Sequence, residues 1–286
     1  MPQLPSQALP PSATPAHSWM LPEAAREPLL YVTGQNEVVY VLSYPQGKLV
    51  GMLSGVNGAQ TLCTDRHHHI FVTAFNTESI DEYAHGGTTP IAKLEDYGYY
   101  PVGCAVDPAS GNLAVANFGN MSGAGASVAI YTNAKGQPNY YKASNFLGFD
   151  WCSYDDHGNL FINGVDQGFE ELRAGSPAFF PISVPVSGEA IHWDGKYFAI
   201  VNPLARQLYR VAVFNLNGVV VSKINFSGPL NQVGDDFAVV DGRLVMPFAK
   251  RAVDSRIGFW PYLQGGAPHK TIRFPGYAFV SIAFSR

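Results

Sequence analysis

The segments "EYAHGG" (82–87) and "PYLQGG" (261–266) give the same local instruction at two distant places. An aromatic residue, a short polar pause and a glycine recur at Tyr44–Gly47, Tyr83–Gly86, Tyr131–Gly136, Phe214–Gly218 and Tyr262–Gly265, with Leu172–Gly175 as a variant. Alternating apolar runs such as "EVVYVLSY", "SVAIY" and "LYRVAVF" precede these turns. Alternation marks a strand, because successive side chains point to opposite faces. Glycine marks the tight turn, because it takes positive φ without steric cost.

A second pattern is offset from the first: a short apolar strand, an aspartate, a turn and another apolar strand. It reads "LCTDRHHHIFV", "GCAVDPASGNLAV", "WCSYDDHGNLFI", "IHWDGKYFAIV" and "FAVVDGRLVM", with Asp65, Asp107, Asp155, Asp194 and Asp241 in the turns. Aspartate suits that place because its side chain accepts hydrogen bonds from nearby backbone N–H groups. The five aspartates lie 44 residues apart on average, the length of one four-stranded propeller blade. Six aromatic–glycine turns stand against five aspartate hairpins, and "GYAFVSIAFS" (276–285) is a strand with no hairpin after it. Joining the ends resolves the mismatch: residues 276–284 become the inner strand of the blade whose outer strands fill 29–53. The expectation is an all-β, six-bladed β-propeller of four-stranded antiparallel blades, its ring closed by the C-terminal strand.

Residues 1–28 contain seven prolines and no apolar periodicity, and are expected to form a flexible leader before a propeller of residues 29–286. They lack the apolar centre of a signal peptide. A net charge of −4 gives no electrostatic reason to bind nucleic acid. No apolar run approaches the roughly 18 residues that span a membrane as a helix. Cys63, Cys104 and Cys152 are odd in number and form no CxxC pair, so buried free thiols are expected.

If inner strand A runs down, D–A and B–C connections share an upper face, and A–B and C–D turns a lower one. His67, His68 and His69 fall in a lower turn, where consecutive side chains diverge and all three cannot close on one ion. His192 falls within an inner strand and is expected to be packed and hydrogen-bonded. Five residues before each turn aspartate stand Gln60, Val102, Asp150, Glu189 and Asp236, with Gly276 in the closing strand. The upper connections add Asn76, Asn117, Asn120, Asn163, Asp166 and Asn202. The candidate site is therefore Gln60, Asp150, Glu189, Asp236, Asn117, Asn163, Asn202 and Asp166 around the upper channel mouth. Carboxylates and amide oxygens there suit a hard cation such as Ca²⁺, or a general base; a wet polar channel is the competing reading. No GxSxG, HExxH or phosphate-binding glycine loop is present.

The stretches "LLYVTGQNEVVYVLSYPQGKLVG", "IDEYAHGGTTPIAKL" and "GCAVDPASGNLAVAN" resemble bacterial six-bladed propellers of the NHL-like and TolB-like kind. That resemblance covers about residues 29–286 and implies an exported, secreted or periplasmic protein. A more distant similarity to gluconolactonase-like and streptogramin-lyase-like propellers implies a divalent cation held at the mouth, with Glu189, Asn117, Asn163, Asn202 and Asp236 in position. Two functions follow. One is a monomeric binding propeller that takes a small molecule or protein at its upper face. The other is a metal-dependent hydrolase, lactonase or lyase. Exposed upper-face aromatics would favour the first, and an enclosed acidic pocket the second.

Overall fold

A computed structural model describes residues 17–34, 37–120, 125–142, 149–164, 168–227, 232–233, 236–249, 254–275 and 279–286. Six antiparallel sheets stand in sequence. Blade II illustrates the unit, with strand A at Ala59–Thr64, B at Ile70–Ala74, C at Ser79–Tyr83 and D at Pro90–Glu95. Blades III and IV begin with inner strands Tyr99–Val106 and Phe149–Tyr154, and blade V with Ile191–Trp193. The inner strand of blade VI is split into Gln232–Val233 and Ala238–Val240, both paired to Arg243–Ala249.

Blade I joins the two ends of the chain, as expected. Its inner strand is Phe279–Ser285, paired antiparallel to Leu29–Gly34, followed outward by Val38–Ser43 and Leu49–Ser54. Residues 17–28, read in the sequence as the end of the leader, also carry structure. Trp19–Met20 adds a fifth strand outside Leu49–Ser54, and Ala24 is buried in the helical turn that follows. The Pro-rich stretch up to residue 16 lies outside the described residues.

The apolar cores lie between blades. One joins blades I and II through Leu29, Val41, Leu62 and Val72. Another joins I and VI through Leu30, Val32, Val245 and Phe259. A single sheet cannot bury both its faces, so each blade needs its neighbours. Approach is close at Gly103, where an added Cβ would lie 2.4 Å from the carbonyl oxygen of Asp150 in the next inner strand. Only glycine fits there. No helix among the described residues is long and apolar enough to cross a membrane.

The two sequence repeats meet in space on the lower face. Tyr262 of blade VI donates its hydroxyl to Asp194 of blade V at 2.7 Å, and Tyr44 of blade I donates to Asp241 of blade VI at 3.3 Å. Asp65, Asp107, Asp155 and Asp194 also accept turn N–H groups, as at His67, Ala109, His157 and Lys196.

The cysteines correct the sequence reading. Cys63 and Cys104, expected as free thiols, form a disulfide with Cα atoms 5.8 Å apart. Neighbouring inner strands bring them within the span that a disulfide requires. Cys152 remains free and buried, and burial pushes its thiol up to about 12.

Candidate functional site

The upper mouth is built from β-bulges. Pairing of strands A and B slips past Gln60 and Thr61 in blade II, past Val102 in blade III and past Asp150 in blade IV. These are the positions the five-residue offset singles out. A bulge re-aims its residue and frees backbone groups from the ladder. Strand-B side chains of the preceding blade reach the carbonyls of three of the offset positions. Thr33 of blade I donates to Gln60 O at 2.7 Å, Thr73 of blade II reaches Val102 O at 3.5 Å, and Asn163 of blade IV donates to Glu189 O. The recurring polar positions thus stitch blade to blade, a need the offset pattern alone does not reveal.

The remaining expected site residues have individual surroundings. Asn117 is fully buried and its amide donates to Ser127 Oγ at 3.4 Å. Asn202 is half-buried, donating to Ser187 O at 3.1 Å and accepting from Ala205 N at 2.8 Å. Gln60, Asp150 and Glu189 are half-buried at their strand starts. Asp166 and Gly276 lie outside the described residues.

Asp236 sits in the break of the blade VI inner strand and is buried. Its Oδ1 accepts from Phe237 N at 2.7 Å and from His192 Nε2 at 2.9 Å. Its Oδ2 accepts from Ser281 Oγ at 2.6 Å and from Ile282 N at 3.2 Å. A carboxylate offers about four acceptor positions, so protein donors occupy all of them. A cation would have to displace these donors, and the described groups therefore do not fit a built Ca²⁺ cage.

Below this level the axis widens into a cavity of about 600 Å³. Its walls mix apolar side chains such as Leu62, Val106, Val239 and Ile282 with polar ones such as Thr64 and Ser153, with the Cys63–Cys104 disulfide on one side. His192 supplies a polar group there, with about a third of its side chain exposed. Asp236 fixes the imidazole with Nε2 protonated, because a carboxylate only accepts. Arg286 and Asp241, paired at 3.0 Å, stand at the lower margin. This is not an enclosed acidic pocket.

The upper face over blades II and III carries an aromatic corner. Phe75 stacks on Tyr100 with centroids 4.6 Å apart, and Tyr99 stacks on Tyr140 at the same separation. Tyr97 is 71% exposed, Phe118 44% and Tyr140 40%, so three rings offer area to solvent beside two ordered pairs. The stretch "EDYGYY" (95–100) supplies half of this cluster. Beneath it Asp96 is fully buried, accepting from the Tyr140 hydroxyl at 2.7 Å. Burial pushes its carboxyl up to about 6. The nearby Glu95 charge raises the Tyr97 hydroxyl, so acceptors surround the rings.

Fold and surface together define a six-bladed β-propeller with an axial cavity and an aromatic upper corner. No family model and no curated protein matches the chain. Among solved structures, it is similar to a protein of unknown function from Bacteroides caccae, solved in the crystal at 1.35 Å resolution. The TM-score is 0.66 at 10% identity, over 91% of this chain and 99% of that one. At that identity the likeness concerns the fold alone.

Proposed function

We propose that this chain is an exported ligand-binding propeller, in the manner of the NHL-like and TolB-like propellers it resembles, and that it binds through its upper face. The observation that carries this reading is the aromatic corner of Tyr97, Phe118 and Tyr140, backed by the stacked pairs Phe75–Tyr100 and Tyr99–Tyr140. Exposed rings offer flat apolar area at small entropic cost. The groups beside them, Glu78 and Glu95, are acceptors and negative, which disfavours phosphates and favours a ligand rich in donors. A neutral carbohydrate has that chemistry, with C–H faces for the rings and hydroxyls for the carboxylates. Export is supported by the Cys63–Cys104 disulfide, since disulfides persist in oxidising compartments. The saturated state of Asp236 weighs against the metal-dependent hydrolase, lactonase or lyase.

The test is calorimetric titration with a panel of neutral oligosaccharides, using wild type, Tyr97→Ala and Phe118→Ala. At least one glycan should bind, and each variant should weaken it about fivefold, the worth of about 1 kcal/mol per lost stack. A panel with no binder, or binding unchanged in both variants, would overturn the reading.

A further inference from the structure

The lower turn of blade II and the adjoining strand C bring three ligand-type side chains together. Asp65 is tied through Oδ1 to the backbone N–H groups of His67 at 2.9 Å and His69 at 2.8 Å. That leaves Oδ2 facing His69 Nδ1 across 3.7 Å. Glu82 reaches the same nitrogen from strand C, with Oε1 at 2.6 Å. One ligand atom from each residue lies within 4.8 Å of the other two, and all three residues are half-buried. Among the described residues no other trio of His, Cys and carboxylate groups converges in this way.

We propose that Asp65, His69 and Glu82 form a site for a divalent transition-metal ion of the zinc class, separate from the channel mouth. Zinc–nitrogen and zinc–oxygen bonds of about 2.0–2.1 Å hold tetrahedral ligand atoms about 3.3 Å apart. The observed 2.6 and 3.7 Å bracket that spacing. An ion in place of the hydrogen bond between His69 and Glu82 would open one contact and close the other. One imidazole and two carboxylates suit a borderline ion, whereas Ca²⁺ takes six to eight oxygens. His67 offers a fourth ligand: its ring centroid lies 6.0 Å from that of His69, and two imidazoles on one ion stand about 5–6 Å apart given those bond lengths. It would exchange its contact with Arg66 Nε, 3.4 Å away, for the ion. Only His69 of the triplet faces the carboxylates. His68 turns away at φ +66°, and its carbonyl accepts from Ser285 Oγ at 2.7 Å.

Such an ion would pin the turn 65–69 to strand C. Cobalt is the informative probe, since a site built from protein ligands gives Co²⁺ visible absorption. The full chain is titrated with Co²⁺, followed by Zn²⁺ competition, for wild type, His69→Ala and the near-isosteric Glu82→Gln. Asp65 is left intact because it holds the turn. Wild type should bind one ion and be stabilised in thermal melts by Zn²⁺. Each variant should bind at least tenfold more weakly while melting normally in chelator, and His67→Ala should show a smaller loss. Absence of Co²⁺ absorption in wild type would overturn the proposal. So would equal binding by His69→Ala, which would assign the metal to His67 and His68 alone.

Discussion

Ser281 donates its hydroxyl to Asp236 Oδ2 at 2.6 Å, while Leu62 N donates to the Ser281 oxygen at 3.0 Å. With His192 on the other carboxylate oxygen, this chain of bonds runs from blade V through VI and I to II. It crosses the seam where the two ends of the chain meet. The ring is thus locked by one buried carboxylate as well as by strand pairing. Ser281→Ala leaves Leu62 N and Asp236 Oδ2 short of a partner, and should cost about 2 kcal/mol. Urea unfolding checks this; a loss within error would show that the seam does not need the hydroxyl.

Asp96 makes stability depend on pH in a definite direction. Its folded pKa, about 6, lies above the ordinary 3.8 because burial disfavours the charge. The stabilisation is full below about pH 4 and is lost as pH rises through 6, amounting to up to about 3 kcal/mol. Asp96→Asn keeps an acceptor for Tyr140 without the buried charge. It should therefore be more stable than wild type at pH 8 and equal to it at pH 4, as read from denaturant midpoints. Equal gains at both pH values would remove Asp96 as the cause.

The disulfide closes a loop of 41 residues in sequence separation, for which chain entropy gives about 4 kcal/mol. The Cys63→Ser, Cys104→Ser double variant should lose roughly that much. Thiol titration of denatured, unreduced wild type should find one reactive group, Cys152. Three reactive thiols would contradict the pairing.

Tyr262 links two blades through Asp194, which also accepts from Arg210 Nε at 2.6 Å. Burial alone would raise this carboxyl, but the bonds from Arg210, Tyr262 and Tyr197 N outweigh it and hold the group below its usual range. Tyr262→Phe should cost about 1 kcal/mol at neutral pH. The cost should shrink as acid protonates Asp194, since the stability it carries is lost as pH falls through the lowered pKa. An acid-insensitive cost would mean that packing, not the hydrogen bond, matters at this position.

These contacts explain what the sequence made legible. The aspartate hairpins recur because the turns at Asp65, Asp107, Asp155 and Asp194 use their carboxylates to hold backbone N–H groups. At two of the six aromatic–glycine turns, Tyr44 and Tyr262 also bond the aspartate of a neighbouring blade. A turn repeated with each blade leaves a periodic trace in sequence. Contacts made once leave none. Cys63 and Cys104 stand two and three residues before Asp65 and Asp107, on consecutive inner strands, and only strands placed side by side reveal the pairing. The offset that picked out Gln60, Val102 and Glu189 found positions whose carbonyls accept from the preceding blade. Side-chain chemistry suggested ligands where backbone geometry was the reason for the pattern. Asp236 shared that offset but sits in a broken strand, and a broken strand has no signature in residue type. The aromatic corner draws on two connections and three strands, so no single stretch of the sequence announces it.

The most direct measurement compares thermal melts of wild type and Asp236→Asn in millimolar Ca²⁺ and in excess chelator. If Asp236 is the clasp of a binding propeller, the variant loses about 3 kcal/mol to the same extent in both solutions, and Ca²⁺ leaves wild type unmoved. A Ca²⁺-dependent rise in the wild-type melting temperature that Asp236→Asn abolishes would contradict this. It would return the channel mouth to a cation site.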